Sequence, residues 1–134
     1  EDVGNADPMA LTVAVSAAQA VERVGMPEAQ IILSQAVLYV ATAPKSNSAY
    51  NAIFAAMESV KRTKTTVPVH LQDSHYKGSA KLGHGIGYQY AHDYPKHYAK
   101  QQYLPDEIVE EVFYQASDNG YEKKIQEHMK WLKE

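Results

Sequence analysis

Residues that could do chemistry crowd into one stretch. Five of the six histidines and six of the ten tyrosines fall within HLQDSHYKGSAKLGHGIGYQYAHDYPKHYAKQQYLP, residues 70–105. His70, His75, His84, His92 and His97, with Asp73 and Asp93 nearby, supply the donor types of a zinc site. Zinc needs three or four convergent ligands, and no two of these histidines have the four-residue spacing that puts paired imidazoles on one helix face; His92 and His97 are five apart. Histidines that hydrogen-bond and pack within the stretch are the better account. His75 and Asp73 could form an acid–base pair, but no nucleophile accompanies them. No metal ligand and no catalytic residue is assigned.

Glycines in the same stretch invite a phosphate-loop reading. Gly78 and Gly83 have its opening spacing, but His84-Gly85 follows where lysine and Ser/Thr should reach the terminal phosphates and magnesium. Gly83, Gly85 and Gly87 miss the dinucleotide fingerprint too, because Tyr88 stands where the third glycine is required. Glycines placed for tight or left-handed turns explain the pattern, and no cofactor-binding residue is assigned.

Nucleic acid is a third possibility. Tyr76, Lys77, Lys81, His84, Tyr88, Tyr90, Tyr94, Lys96, Tyr98 and Lys100 interleave rings with cations, and a single strand needs both flat faces and positive charge. These residues are the candidate contacts to DNA or to another subunit. Tyrosines can equally pin a loop to the helices beneath it, the more common use. The charge pattern sharpens the choice of partner. Residues 61–103 carry seven basic residues against two acids, whereas the flanking segments are acidic and the whole chain is −3. A basic middle between acidic ends suits an anionic partner or neighbouring copies of the same chain.

The elements that must position this stretch are helical. Asp7-Pro8 is a helix start and Gly25 a stop, with Leu11, Val13, Val15, Val21 and Val24 covering most of the circumference between them. Met26-Pro27-Glu28 opens a second helix, apolar nearly all round, which Pro44 closes. Ser46, Asn47 and Ser48 can cap a third, in which Tyr50, Ile53, Phe54, Met57 and Val60 form one stripe expected to face the core. Val67 to Leu71 reads as a short extended piece, Pro105 to Val112 as a short helix, and Tyr121 onward as a final helix with its stripe on Tyr121, Ile125, Met129 and Leu132. The expected fold is therefore all-α: a helical bundle in a single domain, 1–134, interrupted by one long ordered loop over about 66–104, with little or no β.

Composition bounds the rest. The absence of cysteine excludes a disulfide scaffold and fits a reducing compartment, so the cytoplasm is the expected location. The apolar run 9–21 is preceded by Asp2 and Asp7, where a signal peptide would carry positive charge, and is too short to span a bilayer, so no membrane partner is expected. The chain opens on Glu1 rather than methionine, which suggests a piece of a longer protein.

Three segments together resemble one family. EDVGNADPMAL (1–11), LYVATAPKSNSAY (38–50) and above all the 70–105 motif are similar to the C-terminal region of the replication-associated recombination protein A family. These are AAA+ ATPases also called MgsA, related to the eukaryotic Werner-helicase-interacting protein and more distantly to clamp-loader subunits. The chain departs from the family pattern at Gln72, where HLRDAHYKG has arginine, at Ala91, where YPHDYP has proline, and at Ile108-Val109-Glu110-Glu111, where a more basic segment is expected.

The resemblance implies an ATPase module N-terminal to Glu1, with ATP and magnesium bound there, so this chain is not expected to hydrolyse ATP. It implies a C-terminal module that assembles the protein into a homo-oligomer, a tetramer, and a whole protein acting on DNA, single-stranded or forked, with fork proteins in a nucleoid-associated setting. The leading expectation is thus an oligomerisation module, the alternative a direct DNA-binding surface on the 70–105 loop.

Overall fold

The computed structural model describes residues 1–75 and 77–134. Four α-helices carry the chain: α1 (Met9–Val24), α2 (Ala29–Thr42), α3 (Ser48–Arg62) and α4 (Glu122–Lys133). Among the described residues there is no β-strand, so the fold is all-α. The starts and stops follow local chemistry. Asp7 Oδ1 accepts the Met9 N–H (3.0 Å), capping α1, and Gly25 ends it at φ 75°. Asp7 also takes a hydrogen bond from Tyr39 of α2, which holds that phenol above its ordinary pKa. At the far end of α2, Lys45 Nζ covers carbonyls left without helical partners, those of Val40 (2.9 Å), Ala41 (3.2 Å) and Ala43. None of the described helices is long and apolar enough to cross a membrane.

Two compact units result, Glu1–Phe54 with Phe113–Met129, and Ala55–Val112 with Lys130–Glu134. In the first, α1 and α2 pack together, with Val13, Ala17, Ala20, Ile32 and Ala36 half-buried or buried between them and lining a crevice along the seam. Val3, Ala10 and Ala43, with Val40 beside them, make the small apolar core.

The first unit is closed by a buried carboxylate. Glu122, in the first turn of α4, is 0% exposed. Ser48 Oγ (2.6 Å) and the Tyr114 hydroxyl (2.7 Å) donate to its Oε2, and Ser117 Oγ (3.0 Å) donates to Oε1. Burial pushes the carboxyl pKa up, but hydrogen bonds from Ser46, Ser48, Tyr114 and Ser117 outweigh it and hold the group at about 2. Tyr114 is raised in turn, by its own burial and then by the carboxylate. Backbone and amide bonds reinforce the clasp: Tyr121 N–H reaches Ala6 O (2.8 Å) and Asn119 Nδ2 reaches Lys45 O (2.9 Å).

That clasp sets the rotation of α3 and overturns the expectation for its stripe. Ser48 must face Glu122, which turns inward the small side chains in phase with it: Ala52, Ala56, Ser59 and Thr63 are all buried or half-buried. Tyr50, Ile53, Phe54, Met57 and Val60 are centred roughly 140° round the helix from these at 100° per residue, and all five are exposed. The stripe is real, but it does not face the core.

The second unit holds the long loop, folded as a string of 3-10 turns. Val69–Leu71 forms one of these turns rather than continuing the extended piece expected there, because the extended backbone ends at Pro68 (ψ 138°) and Leu71 N–H closes onto Pro68 O (2.9 Å). Pro105 to Val112 shrinks to one turn, Asp106–Ile108, pinned by the buried Ile108. His70 Nε2 bonds Gln102 O (2.7 Å), the Tyr103 hydroxyl donates to Ala99 O (2.7 Å), and Ala99 is buried. The loop is ordered by its own crosslinks.

Two expected outcomes follow. Because the folded pKa of Glu122 lies below its ordinary 4.5, its contribution is complete above pH 4.5 and lost as pH falls towards 2. Urea unfolding at pH 5 and pH 2 should therefore show wild type losing on the order of 3 kcal/mol more stability than Glu122→Gln. Ser59 Oγ is buried and makes no hydrogen bond. Ser59→Ala should thus be neutral or raise stability by up to about 1 kcal/mol, and a lowered melting temperature would contradict this account.

Candidate functional site in the 70–105 loop

The loop gathers some of its chemistry-bearing residues and separates others. His92 and His97 meet, with Nδ1 atoms 3.2 Å apart and ring centroids 5.0 Å apart, and Tyr90 packs its ring 5.1 Å from His92. Lys96 and His97 adopt positive φ (61° and 52°) to make this corner. His70 is committed to Gln102, and His75 N–H and Nδ1 lie 2.8 and 3.0 Å from Asp73 Oδ1. The backbone bond, then the imidazole, lowers the Asp73 pKa. The His75–Asp73 pair stands open to solvent, and among the described residues no three histidines or carboxylates converge as a metal site would need.

The contact candidates divide by exposure. Tyr76 lies outside the described residues. Lys77, Lys81 and Lys100 are exposed, as are the rings of Tyr88, Tyr90 and Tyr94. Tyr98 is half-buried and stacks on Tyr103 at 6.4 Å, and His84 is half-buried with its backbone N–H bonded to Ser79 O (3.2 Å). Lys96 is engaged, its Nζ 4.6 Å from the centroid of the Trp131 ring and bonded to the Trp131 carbonyl. Among the described candidates the exposed rings and cations are Lys77, Lys81, Tyr88, Tyr90, Tyr94 and Lys100.

Glycine shapes its most prominent part. From Gly78 to Tyr88 the chain makes a tight excursion held at its base: buried Ser79 donates from Oγ to Ser74 O (2.7 Å), and Gly85 N–H donates to Val69 O (2.9 Å). Gly85 has φ 76°, and a Cβ there would lie 2.6 Å from Ser74 Cβ. Only glycine passes that point unstrained. The Gly78–Gly83 segment is a single 3-10 turn, Ser79–Leu82, followed by His84-Gly85 rather than a helix opening on lysine and Ser/Thr. This is not the geometry of a phosphate loop.

Comparison with known proteins gives the lineage. Residues 1–133 match the family described as MgsA AAA+ ATPase C terminal. The chain belongs to that family. Replication-associated recombination protein A of Bacillus subtilis is 45% identical over 90% of this chain and 29% of its own length, and that of Escherichia coli K12 is 43% identical over 100% and 30%. An ATPase of Dictyostelium discoideum named WRNIP1 is 38% identical over 86% of the chain and 13% of its own length. This MgsA C-terminal chain thus spans about three tenths of the bacterial relatives it matches, the C-terminal domain of an AAA+ ATPase in a replication and recombination family.

Residues that periodicity did not single out also shape this region of the MgsA domain: Leu82 and Ile86 stand exposed on the glycine turn, and Trp131 holds Lys96. In thermal melts, Gly85→Ala should cost about 1–3 kcal/mol, more than Gly87→Ala, whose Cβ would meet His70 Cβ at an ordinary 3.6 Å. Equal losses would show that crowding at Ser74 is not what demands glycine.

Proposed function

We propose that this domain is the assembly module of its AAA+ ATPase, joining copies of the chain into a homo-oligomer, a tetramer. One observation carries the reading. Leu11 and Ile31 are each 74% exposed, Val37 and Leu38 are 64% and 61% exposed, and Tyr50, Ile53 and Phe54 are exposed beside them in the sequence of the same unit. Soluble monomers rarely leave so many large apolar side chains in water, and each buried at a contact contributes about 1.5–3 kcal/mol. An apolar crevice of about 560 Å³, lined by Val3, Pro8, Ala10, Leu11 and Val40, adds relief for a neighbour's side chains. Ring assembly of copies suits a module whose middle is basic and whose ends are acidic, since unlike segments of neighbouring chains attract.

The whole protein, in this reading, is a cytoplasmic, nucleoid-associated DNA-dependent ATPase that binds ATP and magnesium outside this chain. It works with replication-fork proteins in recombination and repair. A second reading is favoured by the exposure of Tyr88, Tyr90 and Tyr94 together with Lys77, Lys81 and Lys100: the loop contacts DNA directly, rings stacking on bases and ammonium groups tracking phosphates.

Light scattering tests assembly. Wild type should have a mass of several chains at micromolar concentration, whereas Ile31→Glu with Leu38→Glu should be monomeric with unchanged helical circular dichroism, both side chains being exposed within the chain. A wild-type monomer at high micromolar concentration would sink the proposal.

A further inference from the structure

The most unusual surface in the second unit is the tip of the glycine turn. Leu82 is 66% exposed, Ile86 70% and Tyr88 61%, on a turn whose base is fixed by Ser79, Gly85 and the bonds to Ser74 and Val69. Apolar side chains on a slack loop would fold back against the body. Here Leu82, Ile86 and Tyr88 stay exposed on a turn that closes internally, with His84 N–H on Ser79 O (3.2 Å) and Tyr88 N–H on Gly85 O (3.0 Å). Lys77 and Lys81 stand exposed alongside, in a segment with seven basic residues and two acids. One of these acids, Asp73, has its Oδ1 engaged by His75.

We propose that this turn is a wedge that inserts Leu82 and Ile86 between base pairs where duplex DNA meets a single strand, with Tyr88 stacking on an unpaired base and Lys77 and Lys81 on the flanking phosphates. The inference rests on the nucleic-acid reading above and adds a mechanical role to it. Aliphatic side chains of this kind unstack bases when they are forced between steps, and insertion requires a support stiff enough not to fold away. The four glycines with positive φ at 78, 83, 85 and 87 provide a tight turn, and the side-chain bond of Ser79 anchors it. Lysines beside the wedge give the charge complementarity that brings phosphate to it. A junction is the site at which unstacking costs least, since one side of the last pair is already open.

The experiment uses this chain and a duplex with a single-stranded arm, carrying 2-aminopurine at the junction, whose emission rises when the base unstacks. Wild type should bind at low salt and raise the emission. Leu82→Ser with Ile86→Ser should bind within roughly threefold of wild type by anisotropy yet give a rise at least about fivefold smaller. Lys77→Gln with Lys81→Gln should lose binding itself and flatten its salt dependence. Circular dichroism melts, with Ile86→Ala as a milder substitution, confirm that each variant is folded. An undiminished rise from the Leu82/Ile86 variant overturns the wedge and leaves DNA binding standing. Failure of wild type to bind at low salt overturns both. Binding to anionic phospholipid vesicles that needs Leu82 and Ile86, without any junction response, overturns the wedge in favour of a lipid surface.

Discussion

The first unit depends on one carboxylate that has no business being ionised where it sits. Glu122 is out of contact with water, and hydroxyl groups keep its charge tolerable: those of Ser48, Tyr114 and Ser117, with Ser46 behind them. Each bond to an ionised acceptor is worth more than a neutral one, and each would leave an orphaned polar atom if its partner moved. A chain with so small an aliphatic core, little more than Val3, Ala10, Ala43 and Val40, gains its uniqueness from polar closure of this kind.

What the carboxylate fixes reaches beyond its own neighbourhood. By holding Ser48, it decides which side of α3 turns inward, and the small side chains go in while Tyr50, Ile53 and Phe54 come out. Together with the exposed faces of α1 and α2, this leaves the first unit with apolar surface to share. The second unit achieves definition differently, through glycine-dictated turns and hydrogen bonds such as His70 to Gln102, and exposes the tip of a glycine turn.

Much of this was legible in the sequence because it is local. Asp7-Pro8, Gly25 and Pro44 bound α1 and α2 through interactions with residues a few positions away, and the four glycines forecast the turns they make. The inward face of α3 was not legible, since a period of 3.6 reveals that a stripe exists and says nothing of its direction. Its direction was set by Glu122, 74 residues from Ser48, an acid that looks like any other in a first helical turn. The contact of Lys96 was not legible for a similar reason, because its partner Trp131 lies 35 residues on. The 70–105 loop was recognised as the distinctive region, whereas the exposure of Leu82 and Ile86 was hidden by the absence of any period among them.

The discontinuity of the first unit imposes an order on biosynthesis. Residues 1–54 leave the ribosome early, but Tyr114, Ser117 and Glu122 emerge only after residues 55–112 of the second unit have been made. Until then Ser46 and Ser48 have no carboxylate to serve, α3 has no reason to prefer one rotation, and its apolar side chains are as free to turn inward as outward. The nascent chain therefore carries α1 and α2 with their greasy faces uncommitted for the time it takes to translate about sixty further residues, several seconds at ordinary elongation rates of roughly 5–20 residues per second.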